Sequence, residues 1–344
     1  MRAAVVQDET GRLRVREVPS PRLPRGGALL RMTAVGICGS DLHKLGHVPP
    51  GTVLGHEVTG VVERVGAGVR RFRPGDRIVT AHHVPCGRCV YCRGGNESQC
   101  DLFRSTNLIP GGWAERIAVP APLLRRVAFR IPENLTDAEA CLTEPLACCL
   151  RAVRRSNAKK GDTLVVIGLG PVGLLLCRLL RERGARLYAL DRIADKMRTA
   201  SEWSGAKPLP RDPGGAVEEV LHRTRGRGAD QVILSAGAAS TVPLALRMVR
   251  RGGTVHLFAG VDEGAPVDFD LNSLYKREVK LMSTYSSTPA DLAEALRRIG
   301  AGVIPAKRLI RHRLPLSRIE EGIRLVREGK GSKVILEPDR ETPH

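Results

Sequence analysis

The sequence contains few aromatic residues and no long hydrophobic run. Only 2 Trp, 4 Tyr and 5 Phe occur among its 344 residues. No apolar stretch approaches the roughly 20 residues of a membrane-spanning helix, which argues against a membrane protein. The first residues, MRAAVVQDETGRLRV, lack the apolar core of a signal peptide and predict a strand. We therefore expect a cytoplasmic protein without a membrane partner.

Acidic residues are scarce relative to basic ones. The chain has 36 Asp and Glu against 55 Lys and Arg, a formal net charge of +19. A nucleic-acid module is expected to show a clustered basic patch, often with stacking aromatics. Here the basic residues are spread along the chain, which favours solvated surface. We expect no nucleic-acid partner, although an anionic substrate remains an alternative.

Internal repeats and low-complexity tracts are also lacking, and the length predicts two domains. The first 150 residues contain short strand-like runs such as TGVVERVG and DRIVTAHHV, which indicate an irregular β-domain. From residue 161, strands alternate with helices, beginning with TLVVIGLG and PVGLLLCRLLRERG. This rhythm predicts the α/β class, with a doubly wound parallel sheet of the Rossmann type.

A glycine-rich turn joins the first strand of that sheet to the following helix. The motif G-x-G-x-x-G comprises Gly168, Leu169, Gly170, Pro171, Val172 and Gly173. Its glycines permit a tight turn, close approach of a pyrophosphate, and close packing of helix on strand. The next strand ends at Asp191, where a carboxylate favours NAD over NADP, and adjacent Arg192 could weaken that preference. We predict an NAD site formed by the motif, Asp191 and Arg192.

Four of the nine cysteines fall in one short segment, PCGRCVYCRGGNESQC. Cys86, Cys89, Cys92 and Cys100 follow the spacing C-x2-C-x2-C-x7-C. The odd total and the expected compartment make a disulfide framework improbable. An iron–sulfur cluster of the ferredoxin type needs a fourth cysteine after three residues, followed by proline. The spacing therefore favours a closed structural zinc site.

A second set of potential ligands is scattered over three motifs. GICGSDLH, GHE and LTEPL contain a cysteine, a histidine and carboxylates that could leave a coordination position open, as catalytic zinc requires. These motifs contain Cys38, Ser40, Asp41, His43, His56, Glu57 and Glu144.

Together these motifs resemble the zinc-containing medium-chain dehydrogenases/reductases, the alcohol dehydrogenase family. GICGSDLH, GHE, PCGRCVYC, PGGWAE, TEPLA and IGLGPVG occur in the family's order and cover essentially the whole chain. The resemblance implies a GroES-like catalytic domain of residues 1–151 and 288–344 and a Rossmann domain of residues 152–287. It also implies a homodimer or homotetramer.

The resemblance implies two zinc ions per chain. Cys86, Cys89, Cys92 and Cys100 would hold a structural ion; Cys38, His56 and Glu144 would hold a catalytic ion. Glu57 would bind the latter directly or through water, and Asp41 would orient His56. Lys333 would face the cofactor pyrophosphate.

The reaction implied is hydride transfer from a zinc-bound alcohol to NAD. Ser40 would take the hydroxyl proton and pass it, through the nicotinamide ribose, to His43. Glu144 stands where the sorbitol and threonine dehydrogenase branch has a glutamate and the classical branch a cysteine. Only twelve residues separate His43 from His56, fewer than expected in that branch, so its substrates do not transfer directly.

Three functions remain open at this point. The first is a secondary-alcohol dehydrogenase acting on a polyol, cyclitol or related sugar. The second acts on a sugar phosphate or an amino alcohol. The third is a zinc-containing binding protein without activity, which the complete set of catalytic residue types disfavours.

Overall fold

The computed structural model describes residues 1–261, 264–330 and 332–339. The chain divides into two compact units. The first contains Met1–Ala147 and the described residues from Ser287 onward, and the second contains Cys148–Ser286. The first boundary lies four residues before the predicted start at 152, inside the helix Thr143–Ser156.

Strands and helices alternate irregularly in the first unit and regularly in the second. The strands of the described residues are β1 (Arg2–Val6), β2 (Leu13–Glu17), β3 (Ala28–Gly36), β4 (Glu57–Val65), β5 (Arg77–Thr80), β6 (Arg116–Val119), β7 (Ala128–Arg130), β8 (Thr163–Ile167), β9 (Arg186–Leu190), β10 (Lys207–Pro208), β11 (Ala229–Leu234), β12 (Val249–Leu257), β13 (Lys280–Ser283), β14 (Ile310–Pro315) and β15 (Lys333–Glu337). The α-helices are α1 (Gly39–Lys44), α2 (Val90–Arg93), α3 (Asp101–Ser105), α4 (Ala121–Arg126), α5 (Asp137–Ala140), α6 (Thr143–Ser156), α7 (Pro171–Glu182), α8 (Ala194–Ser204), α9 (Pro213–Arg223), α10 (Thr241–Met248), α11 (Leu271–Lys276), α12 (Pro289–Gly300) and α13 (Ile319–Arg327). Short 3₁₀ helices cover Glu97–Gln99, Ala306–Arg308 and Leu316–Arg318.

The first unit is built on a mixed sheet with β3 near its centre. The strand order is β14-β15-β3-β4-β5-β7, and β6 also pairs with β3. The strand β3 runs antiparallel to both β4 and β15, with Gly36 opposite Glu57 on one side and Ile335 on the other. Residues that are distant in sequence therefore meet at the end of β3.

The second unit confirms the predicted doubly wound sheet. Its six strands lie in the order β10-β9-β8-β11-β12-β13, and every pair is parallel. All five residues of β8, TLVVI, are buried, as expected of a central parallel strand covered on both faces. The order reverses beside β8, and the turn that follows this strand carries the glycine motif.

The apolar periodicity of the segment TDAEACLTEPLACCLRAVRR predicts a helix, with Thr136 and Glu139 spaced as a capping box. In the structure this segment forms two helices, α5 and α6. The capping box at its start is present: Glu139 N–H donates to Thr136 Oγ1, and Thr136 N–H donates to Glu139 Oε2. The break precedes Pro145, which has no N–H for Cys141 and would crowd its carbonyl in a continuous helix. Among the described helices, none is sufficiently long and apolar to cross a membrane.

Candidate active site and metal centres

Cys38 lies at the N-terminus of the short helix α1, directly after the central strand β3. Its backbone N–H donates to Asp41 Oδ2 at 3.2 Å, which closes a capping box around the first turn. The Cys38 thiol is partly buried, and the hydroxyl of Ser40 donates to its sulfur at 3.3 Å. The motif GICGSDLH therefore positions its cysteine through its own aspartate.

Asp41 connects Cys38 to His56. Its second oxygen, Oδ1, lies 3.0 Å from His56 Nδ1, and the Asp41 side chain is 1% exposed. This contact fixes the orientation of the imidazole ring and leaves Nε2 for another partner. Burial disfavours charge on both groups, but their mutual attraction and hydrogen bond prevail. The pKa of Asp41 is lowered, and that of His56 is raised well above its ordinary value.

The backbone on either side of His56 depends on Gly55 and Trp113. Gly55 adopts φ +89°, and a Cβ atom there would lie 2.4 Å from the indole of Trp113, which is completely buried. Gly112 N–H donates to the Gly55 carbonyl and Trp113 N–H to the Leu54 carbonyl. The motifs GHE and PGGWAE thus pack together and place His56 at the start of β4.

Glu57 is completely buried and faces Lys333, whose ammonium contacts Glu57 Oε2. The same ammonium donates to the Ile37 carbonyl at 3.0 Å. The contact requires Gly36, because a Cβ atom there would lie 1.9 Å from Glu57 Oε2. The role predicted for Lys333, a contact with the cofactor pyrophosphate, stays a prediction. Its side chain is 3% exposed and contacts Glu57 within the first unit.

The ligand atoms of Cys38, His56 and Glu57 all lie within 4.8 Å of one another. Glu57 Oε1 is buried and has no hydrogen-bond partner in the described part of the chain. A sulfur, an imidazole nitrogen and an unsatisfied carboxylate oxygen at these separations fit a zinc ion. Glu144 lies outside this group; it is buried in the first turn of α6.

The four cysteines of the segment 86–100 form the second cluster. Their sulfur atoms also lie within 4.8 Å of one another, with Cys89 and Cys92 separated by 3.5 Å. Backbone N–H groups donate to three of the sulfurs, among them those of Arg88 and Cys89 to Cys86 Sγ. These bonds lower the pKa of Cys86 to about 6, whereas burial raises the pKa of Cys92 to about 12. Four convergent sulfurs with N–H donors to stabilise thiolate charge fit a closed zinc site.

The glycine motif of the second unit has the local geometry that its sequence predicts. Gly168 adopts φ +93° and packs on Ala236, while a Cβ atom at Gly173 would lie 2.0 Å from the Gly168 carbonyl. Gly170 faces open space, with no atom within 4 Å of a Cβ built there. This residue caps α7, which Pro171 and Val172 begin. The open position at a helix N-terminus leaves room for a phosphate.

Asp191 is fixed next to that turn. Its Oδ2 accepts from Leu169 N–H at 2.8 Å, and its Oδ1 accepts from Ile193 N–H at 2.9 Å. The carboxylate is partly exposed, and the neighbouring Arg192 is exposed. A held carboxylate at this position can accept hydrogen bonds from a ribose diol.

Ser40 and His43 both lie on α1 and are exposed. The carbonyl of His43 contacts His47 Nδ1 at 2.9 Å. The two side chains belong to the same helix as the Cys38 cap, within one turn of each other.

His82 is a site residue that the sequence analysis missed. Its ring centroid lies 4.8 Å from that of His56, and burial lowers the pKa of His82 well below its ordinary value. The adjacent His83 stacks on His82 at 3.8 Å. The sequence signal was the histidine pair that Val84 separates from PCGRC, within a run interpreted only as a strand.

Two family models match the chain. The alcohol dehydrogenase GroES-like domain matches residues 24–131, and the zinc-binding dehydrogenase domain matches residues 171–301. The chain is 33% identical to a probable zinc-binding alcohol dehydrogenase of Mycobacterium tuberculosis, over 98% of this chain and 88% of that protein. It is 29% identical to a sorbitol dehydrogenase of Halalkalibacterium halodurans, over 98% and 99%.

A solved structure extends the similarity to three dimensions. A putative zinc-binding dehydrogenase of Sinorhizobium meliloti 1021, bound to NADP, superposes with a TM-score of 0.84 at 32% identity and covers 98% of this chain and 99% of that one. The domain matches span both units, and the relatives match over nearly their full length. The chain therefore belongs to the zinc-containing alcohol dehydrogenases of the medium-chain dehydrogenase/reductase family, oxidoreductases that use zinc and a nicotinamide cofactor.

Proposed function

We propose that this protein is an NAD-dependent dehydrogenase that oxidises a secondary alcohol of a polyol, cyclitol or related sugar. The observation that carries the proposal is the group of a partly buried Cys38 with the buried His56 and Glu57, in which one carboxylate oxygen is uncompensated. The similarity to a sorbitol dehydrogenase supports a polyhydroxylated substrate. The dispersed positive charge gives no comparable support to a sugar phosphate, which is the alternative substrate.

The chain would hold two zinc ions. Cys86, Cys89, Cys92 and Cys100 would bind one that anchors their loop; Cys38 and His56 would bind the other, with Glu57 within reach and Glu144 as the predicted further ligand. When bound there, zinc supplies the Lewis acidity that lowers the pKa of a substrate hydroxyl.

Proton transfer would use the side chains of α1. The Ser40 hydroxyl is exposed beside the Cys38 sulfur, where it can accept the proton of a substrate hydroxyl and release its own. His43, three residues further along α1 and exposed, would pass the proton to solvent. Asp41 keeps the His56 ring oriented throughout, because its two oxygens bind both motifs.

Asp191 would select NAD over NADP. Two backbone N–H groups hold its carboxylate, which would accept from the ribose hydroxyls and repel a 2′-phosphate. The Sinorhizobium relative is bound to NADP, so the preference requires a direct test. In D191A, the ratio of kcat/KM for NAD to that for NADP should fall at least tenfold. A wild-type preference for NADP contradicts this assignment.

The test of the reaction is a substrate screen on zinc-loaded protein. NAD reduction is followed for polyols, cyclitols, simple alcohols and amino alcohols, and for each polyol against its phosphate ester. We expect the highest kcat/KM for an uncharged polyhydroxylated secondary alcohol. A phosphate ester preferred by more than about tenfold, roughly 1.4 kcal/mol of transition-state binding, and less so at high salt, contradicts this substrate class.

The protein would act in the cytoplasm as a homodimer or homotetramer. None of the nine cysteines, which all lie in the described part of the chain, forms a disulfide, and this suits a reducing compartment. The second unit exposes the apolar side chains Leu271, Tyr275 and Leu281, which suits contact with a second copy. Light scattering during size-exclusion chromatography gives the mass directly, and a monomer contradicts the assembly.

A further inference from the structure

His82 combines burial with an unsatisfied polar atom. It follows the strand β5 and is 9% exposed. Its Nδ1 is buried and has no hydrogen-bond partner among the described residues. Because an unpartnered polar group in the interior costs folding free energy, a ligand that pairs with it is the simplest reason for a histidine here.

The neighbouring rings hold His82 beside the candidate metal ligands. Its ring packs against that of His56 with centroids 4.8 Å apart and planes tilted by 46°. On the other side it packs against His83, which is anchored by Thr106 and Phe103. The His83 Nδ1 lies 2.6 Å from the Thr106 carbonyl, so that ring has its own partner. Within the described part of the chain, His82 is the histidine of this stack that has a buried nitrogen without a hydrogen-bond partner.

We propose that His82 is a substrate-binding residue that hydrogen-bonds a second hydroxyl of the substrate, on the carbon next to the one oxidised. The inference rests on the proposed function, because the alcohol that reacts must lie beside His56. It adds a residue that determines specificity: a vicinal diol satisfies the imidazole, whereas a mono-alcohol leaves it unpaired.

A hydroxyl group suits this position chemically. A neutral imidazole has one donor and one acceptor nitrogen, and a hydroxyl can serve either one, so both tautomers are satisfied. An alkyl group at the same place leaves a buried polar atom without a partner. A site built to bond a substrate hydroxyl discriminates strongly against an analogue that lacks it.

The experiment compares 2,3-butanediol with 2-butanol, which lacks the second hydroxyl. For each variant we define the diol preference as kcat/KM for the diol divided by kcat/KM for the mono-alcohol. H82F replaces the imidazole with an aromatic ring that has no nitrogen, and the diol preference should fall about tenfold. H82N, whose amide can replace Nδ1, should keep it within about threefold of wild type. Zinc content is measured on each preparation.

His83 provides the matched control, since H83F changes the adjacent ring of the same stack without removing His82. Its diol preference should match that of wild type. An unchanged diol preference in H82F, or an equal fall in H83F, overturns the inference, because His82 then acts only in packing. The inference is also overturned if wild-type protein oxidises the mono-alcohol as well as the diol. In that case the proposed dehydrogenase function still stands. A wild-type protein inactive on every alcohol contradicts the proposed function, and the inference falls with it.

Discussion

Lys333 and Glu57 form an ion pair in the interior of the first unit, with side chains that are 3% and 0% exposed. The residues belong to β15 and β4, which flank the central strand β3. Burial alone would lower the pKa of Lys333, because it disfavours the charged ammonium. The attraction of the Glu57 carboxylate outweighs this effect, and the pKa of Lys333 is raised. The ammonium group of Lys333 therefore holds Glu57, a candidate metal ligand, in place.

Replacing Lys333 by methionine should destabilise the protein strongly. K333M leaves the Glu57 carboxylate buried without its partner, which typically costs about 3–5 kcal/mol. The free energy of unfolding in urea measures the loss. The control is K330M, because Lys330 is exposed and pairs with Glu328 at the surface, where a pair contributes about 0–1 kcal/mol. Equal stability of the two variants contradicts the buried pair.

The contact between Lys333 and Glu57 also depends on Gly36. A methyl group in G36A would overlap Glu57 Oε2 and approach Lys333 Cε to 2.8 Å. We expect G36A to lose at least about 2 kcal/mol of stability and to bind less zinc at the Cys38 cluster. G39A is the matched control, since no atom lies within 4 Å of a Cβ at Gly39. Wild-type stability and zinc content in G36A would show that the strands can separate to accept a side chain.

Removing the charge of Asp41 should weaken metal binding and change its pH dependence. An outer carboxylate that orients a histidine ligand typically contributes about 10- to 100-fold in affinity, and D41N should lose a comparable factor. The raised pKa of His56 in metal-free protein means that zinc displaces a proton from its ring. In metal-free protein, the contribution of the Asp41–His56 pair to folding stability is complete below pH about 6.5. It is lost as the pH rises through the raised pKa that His56 has in the folded protein.

Zinc affinity should therefore rise with pH until His56 is deprotonated, and it should level off at lower pH in D41N. Calorimetry near pH 7.5 in two buffers of different ionisation enthalpy counts the protons released. Wild-type protein should release about one more proton than D41N. Equal proton release in the two proteins argues against the pair between Asp41 and His56.

Cys86 should be the reactive thiol of the metal-free cysteine cluster. Backbone N–H donors lower its pKa to about 6, whereas burial raises that of Cys92 to about 12. Alkylation of zinc-free protein, followed by mass spectrometry of peptides, should show Cys86 labelling with a midpoint near pH 6. The stabilisation from its thiolate is lost as the pH falls through that value. A midpoint near the ordinary value of about 8.5 contradicts the hydrogen bonds, and bound zinc should suppress the labelling.

Sequence patterns predicted the features that depend on neighbours along the chain. The parallel sheet and the turn at Gly168 follow from local periodicity and from glycines that only a tight turn explains. Asp41 and His56 were linked only through the family resemblance, because nothing in their spacing shows a contact. The helix break before Pro145 was missed because the periodicity continues on both sides of it.

Contacts between distant segments required the fold. The ammonium of Lys333 reaches the carbonyl of Ile37 across 296 residues, and only the strand order around β3 brings them together. The same order explains why Gly36 must lack a side chain. The packing of His82 against His56 joins the segment after β5 to the residue before β4. A histidine pair near a cysteine loop does not indicate that contact in advance.

The most direct test of the account is the zinc content of wild-type, C38A and C89A protein, with turnover of the best polyol measured on the same preparations. The account predicts about two zinc ions per chain in wild type and about one in C38A, which should lose turnover but still bind NAD. C89A should lose the other zinc ion. Its main effect should be a lower free energy of unfolding, since that site anchors a loop and takes no part in the reaction. Two zinc ions and wild-type turnover in C38A would contradict the assignment of Cys38, His56 and Glu57 as the catalytic metal site.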